Sequence, residues 1–209
     1  MSSTVTYAIS ESAEAFLELV WPIMAKYVGG RLLPIETDGQ DESKKALDTL
    51  AGIDAWYILD GVGMHGVASR VQWVSTSYDT FTIRYGLPSG GDTEWQKRVR
   101  ALREGYEAPY WTAQGYAALP KSENRLLNAG FTLTTTLYEY AEPRVQWPAK
   151  VYRETGALGR RYENDGVWLN INPEDKHVFV CVRWASMGLK SAADLGHVVG
   201  GQAQFALES

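Results

Sequence analysis

The chain has 209 residues, 45% of them hydrophobic and 22% charged, which is typical of a folded domain and excludes a disordered chain. Its formal net charge of −5 argues against a broad polyanion-binding surface, so any nucleic-acid contact requires a local basic patch. The single cysteine excludes an internal disulfide and a cysteine-rich zinc site, and no two of the three histidines have a metal-ligand spacing.

No apolar run approaches the ~20 residues that a membrane span requires, so no membrane partner is expected. The first residues have neither the basic start nor the apolar core of a signal peptide. We therefore expect a cytoplasmic protein.

The first predicted element is a helix, because apolar residues recur at helical spacing over 16–27. Pro22 is expected to kink or break this helix, and Gly29-Gly30 to end it. The polar stretch 34–45 is predicted to be a loop that leads into a short helical turn.

Three strands are predicted next, at about 52–59, 64–74 and 79–86. Gly61-Val62-Gly63 suits a three-residue hairpin loop, and Ser75-Thr76-Ser77 suits a second turn. Together these segments predict an antiparallel meander.

A helix is predicted over 92–107 and a fourth strand at about 110–119. A further strand is predicted near 131–140, where threonine and aromatic residues are abundant. Residues 141–165, with two prolines and several glycines, are predicted to be irregular, and 167–184 to be a final hairpin.

This order predicts an α+β (mixed α/β) domain built around one sheet. Residues 1–140 would form the core domain, and 141–209 a C-terminal β elaboration on the same domain with a polar tail. The hairpin over 167–184 exposes alternating residues, which indicates a surface for a partner or for a homodimer.

The pairing of the first two strands follows from their three-residue loop, which places Asp54 opposite Arg70 and Trp56 opposite Ala68. The alternate residues of both strands are apolar with one exception and should face the core. The other face therefore gathers Asp54, Arg70 and Gln72, and the third strand would add Thr82 and Arg84 if it continues the register.

Two interpretations of this polar face are open. An antiparallel sheet often has one solvated side, and Asp54 with Arg70 would then form a surface ion pair worth less than ~1 kcal/mol. However, Trp56 and Ile58 lie on the same face, and two helices are available to cover it. A partly covered carboxylate beside two arginines is more typical of a functional cleft.

Three short motifs mark this region: Gly52-Ile53-Asp54, Arg70-Val71-Gln72 and Phe81-Thr82-Ile83-Arg84. In this order they resemble the PD-(D/E)XK nuclease-like superfamily, and in particular a group of phage and mobile-element proteins. The resemblance covers roughly residues 10–120. It implies a restriction-endonuclease-like core of helix, three strands, helix and strand, here with an additional C-terminal hairpin.

The resemblance also implies a Mg²⁺-dependent nuclease, in which acidic residues hold the metal against the scissile phosphate. Asp54 fits the first-strand acid, with Asp48 or Glu94 as further metal ligands, and Arg70 and Gln72 would complete the catalytic set. The second strand departs from the family pattern, because Arg70-Val71-Gln72 replaces acid-x-lysine. Since an arginine beside Asp54 repels a dication by on the order of a few kcal/mol, the site is either rewired or inactive.

Substrate contacts are predicted from four further residues: Arg84, Lys97, Arg100 and Gln114. Lys97 and Arg100 lie on the predicted helix over 92–107 and would touch a nucleic-acid backbone. The alternative is a solvated helix face on which Glu94 and Glu104 are their partners.

Three other features have simpler interpretations. Cys181 is predicted to be a buried small residue. Arg153, Arg160 and Arg161 form a basic cluster that is either a nucleic-acid contact or an ordinary loop. Most of the eight tryptophans fit apolar positions and are predicted to be core: Trp73, Trp95, Trp111, Trp147, Trp168 and Trp184.

Two functions of different classes are favoured, and a phage structural or assembly protein is a third alternative. The first is a nuclease-like protein that acts on or binds nucleic acid, with metal-dependent phosphodiester hydrolysis in a degenerate active site. The second is a catalytically inactive binding protein of phage or mobile-element origin that regulates or inhibits a host protein, which the acidic balance and the missing acid-x-lysine favour. The first requires Asp54 and a second carboxylate to reach one point.

Overall fold

A computed structural model of the chain describes residues 11–34, 53–59, 63–87, 89–189 and 198–199. The helices in this part are α1 (11–28), α2 (Glu94–Glu104) and α3 (Thr134–Thr155). The strands are β1 (Arg31–Pro34), β2 (Ala55–Leu59), β3 (Gly63–Val74), β4 (Thr80–Gly86), β5 (Trp111–Ala118), β6 (Leu126–Leu133), β7 (Val167–Ile171), β8 (Val178–Arg183) and β9 (Val198–Val199).

Helix α1 continues through Pro22. A π-helical segment, Phe16–Val20, precedes an α-helical segment, Trp21–Val28, and Pro22 lies in the first turn of the latter. A proline is tolerated there because its missing N–H would have no partner within that turn. Gly29 ends the helix with a φ of 66°, as predicted.

The strands form two sheets. Six strands make a mixed sheet in the order β1-β2-β3-β5-β6-β9, in which β3 and β5 are parallel. The other sheet is antiparallel, in the order β4-β8-β7. The α+β class is therefore confirmed, but the predicted single sheet and meander are wrong, because β4 leaves β3 and pairs with the C-terminal hairpin.

The register of β2 and β3 differs from the prediction by two residues. Trp56 pairs with Gly66 instead of Ala68, so Asp54 does not lie opposite Arg70. A shift by two keeps every side chain on its predicted face. The predicted apolar face is confirmed, and it packs against α1 through Ala55, Tyr57, Val67 and Val71.

A second core fills the space on the opposite face of the six-stranded sheet. It joins that face to the three-stranded sheet, α2 and α3, and its largest fully buried members include Phe81, Tyr116, Leu137, Leu169 and Trp184. β8 is the central strand of its sheet, so the predicted exposed alternation over 167–184 is wrong for most of the hairpin. Cys181 is buried, as predicted.

The sequence prediction differs most from the structure in the region after Leu133. The predicted strand over 131–140 ends at Leu133, and the predicted irregular segment over 141–165 is largely helix α3. The domain boundary drawn at residue 140 falls inside this helix, and β4 and β8, from either side of that boundary, are paired.

Helix α3 contains Pro143 and Pro148, which the sequence interpretation treated as helix breakers. Pro148 cannot donate to the carbonyl of Arg144 one turn earlier. That carbonyl instead accepts a hydrogen bond from Asn164 Nδ2 at 3.0 Å. A tertiary contact thus replaces the missing helical bond.

Some predicted features lie outside the described residues: almost all of the loop and helical turn at 34–45, Asp48, and most of the polar tail after Gly188. None of the helices in the described part of the chain has the length and apolar composition needed to cross a membrane.

Replacing Asn164 by alanine should cost about 1 kcal/mol of unfolding free energy, because it leaves the Arg144 carbonyl without a donor. In a Pro148→Ala background the residue at 148 has its own N–H, so the same Asn164→Ala change should cost much less. Urea unfolding of the four proteins of this double-mutant cycle measures the difference. An equal cost in both backgrounds would contradict the assignment.

Candidate functional site

The predicted site residues meet between the two sheets, at the free edge of β4. One edge of β4 pairs with β8, and the other faces the polar side of the six-stranded sheet with no neighbouring strand among the described residues. Backbone groups on such an edge need other partners when they are covered. Here the partners are side chains.

Both backbone polar groups of Thr82 are hydrogen-bonded to side chains. Its N–H donates to Gln114 Oε1 at 3.4 Å, and its carbonyl accepts from Arg70 Nη1 at 3.3 Å. Its hydroxyl lies within hydrogen-bond distance of the side-chain oxygens of Gln114 and Gln72, at 2.9 and 3.2 Å. Gln114 is 2% exposed, so this glutamine serves β4 from inside the protein and not from a surface.

The neighbouring outward positions of β4 are bonded in the same way. The Thr80 carbonyl accepts from the Tyr116 hydroxyl at 2.8 Å. The Arg84 N–H donates to Glu94 Oε2 at 3.5 Å. We call the five residues whose side chains bind Thr80, Thr82 or the Arg84 N–H of β4 the edge cluster: Arg70, Gln72, Glu94, Gln114 and Tyr116.

Asp54 caps the edge of a different strand. Beyond the end of β2, the Ser69 N–H of β3 donates to Asp54 Oδ2 at 2.5 Å, and the Val71 N–H donates to Ser12 Oγ at 3.0 Å. The predicted cross-strand contact with Arg70 is replaced by this backbone contact.

Arg98 is the residue that the sequence analysis missed. It is 4% exposed, and its Nη2 lies 2.6 Å from Glu94 Oε1, one turn earlier on α2. The available signals were the Glu94–Arg98 spacing of four residues and the shared helix face with the apolar Ala101. The preceding Thr93 caps the helix, with its hydroxyl accepting from the Gln96 N–H, which fixes the position of Glu94.

The charges of these buried groups depend on one another. Burial alone would raise the pKa of Glu94, but Arg98, Arg70 and the Arg84 amide outweigh it and hold this pKa below its ordinary value. Burial would likewise lower the pKa of Arg98, but Glu94, Tyr138 and Asp54 hold it above its ordinary value. For Arg70, burial prevails and lowers the pKa. The pair Glu94–Arg98 is therefore ionised.

These groups do not fit a Mg²⁺ ion. Among the described residues, no cluster of three or more histidine, cysteine or acidic side chains is arranged to hold a metal. Two of the predicted metal ligands, Asp54 and Glu94, lie in the described part of the chain. The negative charges of both raise the pKa of Arg98, and Arg70 places a second positive charge near Glu94. Mg²⁺ binding remains an untested prediction of the resemblance.

The space among these residues is also too small for a substrate. A cavity of about 10 Å³ remains between Ser69, Arg70, Thr82, Glu94 and Gln114. That volume accommodates one water molecule. Among the described residues, the site is a polar contact between the sheets.

Two predicted substrate contacts lie outside the edge cluster. Arg100 pairs with Asp92 at 3.0 Å, and both side chains are 52% exposed. Lys97 is half-buried on the same helix. Arg84 lies at the site through its backbone N–H.

Comparison with known protein families, with characterised proteins and with solved structures gives no match. The resemblance to the nuclease superfamily therefore rests on the three motifs.

Helix α2 offers a matched test of the ion pair between the buried Arg98 and Glu94, whose side chain is 31% exposed. Glu94→Gln removes the carboxylate at 2.6 Å from Arg98 and should lower the unfolding free energy by about 2 kcal/mol. Asp92→Asn removes the exposed pair on the same helix and should cost less than about 1 kcal/mol. Chemical unfolding at neutral pH measures both.

The pH dependence of the unfolding free energy provides an internal control for the Glu94→Gln experiment. Because the pKa of Glu94 is lowered in the folded state, its contribution is complete above the unfolded value of 4.5 and is lost as pH falls through the folded value. The difference between wild type and Glu94→Gln should therefore shrink as the solution is acidified below that value. A difference that stays constant would show that Glu94 is not held ionised by these arginines.

Proposed function

We propose that this protein is a catalytically inactive binding protein with a nuclease-like element order, which acts through a protein partner. One observation carries the proposal. Three side chains that the sequence analysis assigns to the site, Arg70, Gln114 and Glu94, are hydrogen-bonded to the backbone of β4.

The free energy of these hydrogen bonds favours a structural role of the edge cluster over substrate binding. Each backbone bond of the edge cluster contributes about 1 kcal/mol, and a buried backbone group left without a partner costs about 1–3 kcal/mol. A phosphate that recruited Arg70 or Gln114 would have to displace these bonds together. The formal net charge of −5 and the pI of about 5.3 also favour a protein over a nucleic acid as the partner.

The element order supports the nuclease-like part of the proposal. Helix α1, strands β2, β3 and β4, helix α2 and strand β5 follow the order of the family core, with β1 as an additional strand. The pairing of β4 with β8 departs from a three-strand meander.

A metal-dependent nuclease is the second candidate, and one observation favours it. Asp54 and Glu94 come from different elements, and the charges of both carboxylates raise the pKa of Arg98. In this alternative, a dication would have to displace the guanidinium of Arg98 from Glu94, its partner at 2.6 Å.

The proposal predicts no cleavage of supercoiled plasmid or single-stranded DNA by the wild-type protein with Mg²⁺ or Mn²⁺. It also predicts that millimolar Mg²⁺ leaves the Tm unchanged, because a cation that bound the folded state would raise it. Agarose-gel assays and thermal unfolding provide the two measurements.

Asp54→Ala and Arg125→Ala are the paired variants for this experiment, since Asp54 belongs to the site and the exposed Arg125 lies outside every predicted site. Cleavage by the wild type that disappears in folded Asp54→Ala and persists in Arg125→Ala would overturn the proposal and establish the nuclease.

A further inference from the structure

Trp147 is a predicted core residue that the structure leaves at the surface. It lies on α3 and is 45% exposed, whereas Trp111, Trp168 and Trp184 are buried. Leaving this much indole surface in water is unfavourable, because an aromatic side chain gains more from burial than most other residues.

Trp147 contacts the 160–162 turn through Tyr162, and the two arginines of that turn lie over neighbouring aromatic rings. The Trp147 and Tyr162 rings are 6.3 Å apart between centroids, and the guanidinium of Arg161 lies 4.8 Å from the Tyr162 centroid. The guanidinium of Arg160 lies 5.5 Å from the Trp168 centroid. We call these five residues the aromatic–arginine surface.

The two arginines are held in place but remain accessible. Each lies within cation–π distance of a ring, which limits the freedom of its long side chain before a partner arrives. Both are exposed, and the Arg160 side chain is 64% exposed although its Nε lies 3.5 Å from Glu163 Oε2. The guanidinium edges are therefore available to a planar carboxylate, which arginine binds in a bidentate manner.

Arg153, the third member of the predicted basic cluster, is engaged elsewhere. Its side chain hydrogen-bonds to the Tyr85 hydroxyl on β4 and thereby opposes the effect of burial on the pKa of Tyr85. The basic part of the surface is thus confined to the turn beside Trp147.

This composition is typical of the energetic centre of a protein interface, where tryptophan, tyrosine and arginine are enriched. Carboxylates beside this surface disfavour a nucleic acid. Glu163 lies 2.6 Å from Arg183 and 3.5 Å from Arg160, and Glu154 lies beside Lys150 at the exposed side of α3. A continuous row of phosphates would pass close to these acids, whereas a short protein segment can place its charges at the arginines alone.

We propose that the aromatic–arginine surface binds an acidic segment of a protein partner. Carboxylates of that segment pair with Arg160 and Arg161, and an apolar side chain covers Trp147. This inference rests on the proposed function, since it assigns the surface through which the binding protein would contact its partner.

The test is a selection of random short peptides, displayed on their encoding RNA, against the immobilised full-length protein. Recovered peptides should be enriched in aspartate and glutamate next to a large apolar residue. Fluorescence anisotropy of one recovered peptide should show about tenfold weaker binding to Trp147→Ala and to Arg161→Ala. Arg161→Glu, which keeps a charged side chain at this exposed position, should bind at least as weakly.

Two variants on other elements serve as matched controls. Tyr78→Ala removes an aromatic ring that is 53% exposed, and Arg125→Ala removes an arginine whose side chain is 60% exposed. Both should bind the peptide as the wild type does, and thermal unfolding of every variant establishes that it is folded.

Recovered peptides without acidic enrichment, or affinities unchanged by Trp147→Ala and Arg161→Ala, would overturn the assignment of this surface. Binding of labelled oligothymidylate that is lost in the same two variants would also overturn it, in favour of a single-stranded nucleic acid. Neither outcome involves cleavage, so failure of this inference is distinct from failure of the proposed function, which the metal-dependent assay reports.

Discussion

The fold depends on which groups hydrogen-bond to the backbone along one edge of β4. β4 leaves its sequence neighbour β3 and faces the six-stranded sheet with an edge that no strand in the described part of the chain covers. Backbone N–H and C=O groups on a covered edge must be bonded, or each costs free energy. Arg70, Glu94 and Gln114 supply those bonds from β3, α2 and β5. The three-stranded sheet is thereby joined to the six-stranded sheet through side chains.

This constraint explains why the same residues resemble an active site. A functional cleft and a polar contact between sheets both need carboxylates, arginines and amides at covered positions. The difference lies in what they bind. Here Glu94 is paired with Arg98 and bonded to the Arg84 amide, and the cavity among these groups accommodates a single water molecule. Such a hydrogen-bonded charge network holds the two sheets together and leaves no room for a substrate.

The sequence predicts the features that depend on local periodicity. Helix α2, strands β2 to β5 and the assignment of Asp54 and Arg70 to the face opposite the apolar core follow from side-chain spacing. The two-residue register shift and the departure of β4 depend on the distant hairpin β7–β8. They therefore cannot be predicted from the local spacing of side chains. Helix α3 was missed because the Asn164 bond that supports its proline-containing turn is a tertiary contact. Arg98 and the exposure of Trp147 likewise depend on packing across the chain.

The central claim is that side chains, and not solvent, bind the free edge of β4. Native-state hydrogen exchange followed by NMR tests it directly at the Thr82 and Arg84 amides, which donate to Gln114 and Glu94. The account predicts that these two amides exchange as slowly as those of Phe81 and Ile83, which alternate with them and face β8. Exchange of Thr82 and Arg84 at the rate of exposed edge amides, with Phe81 and Ile83 protected, would contradict it.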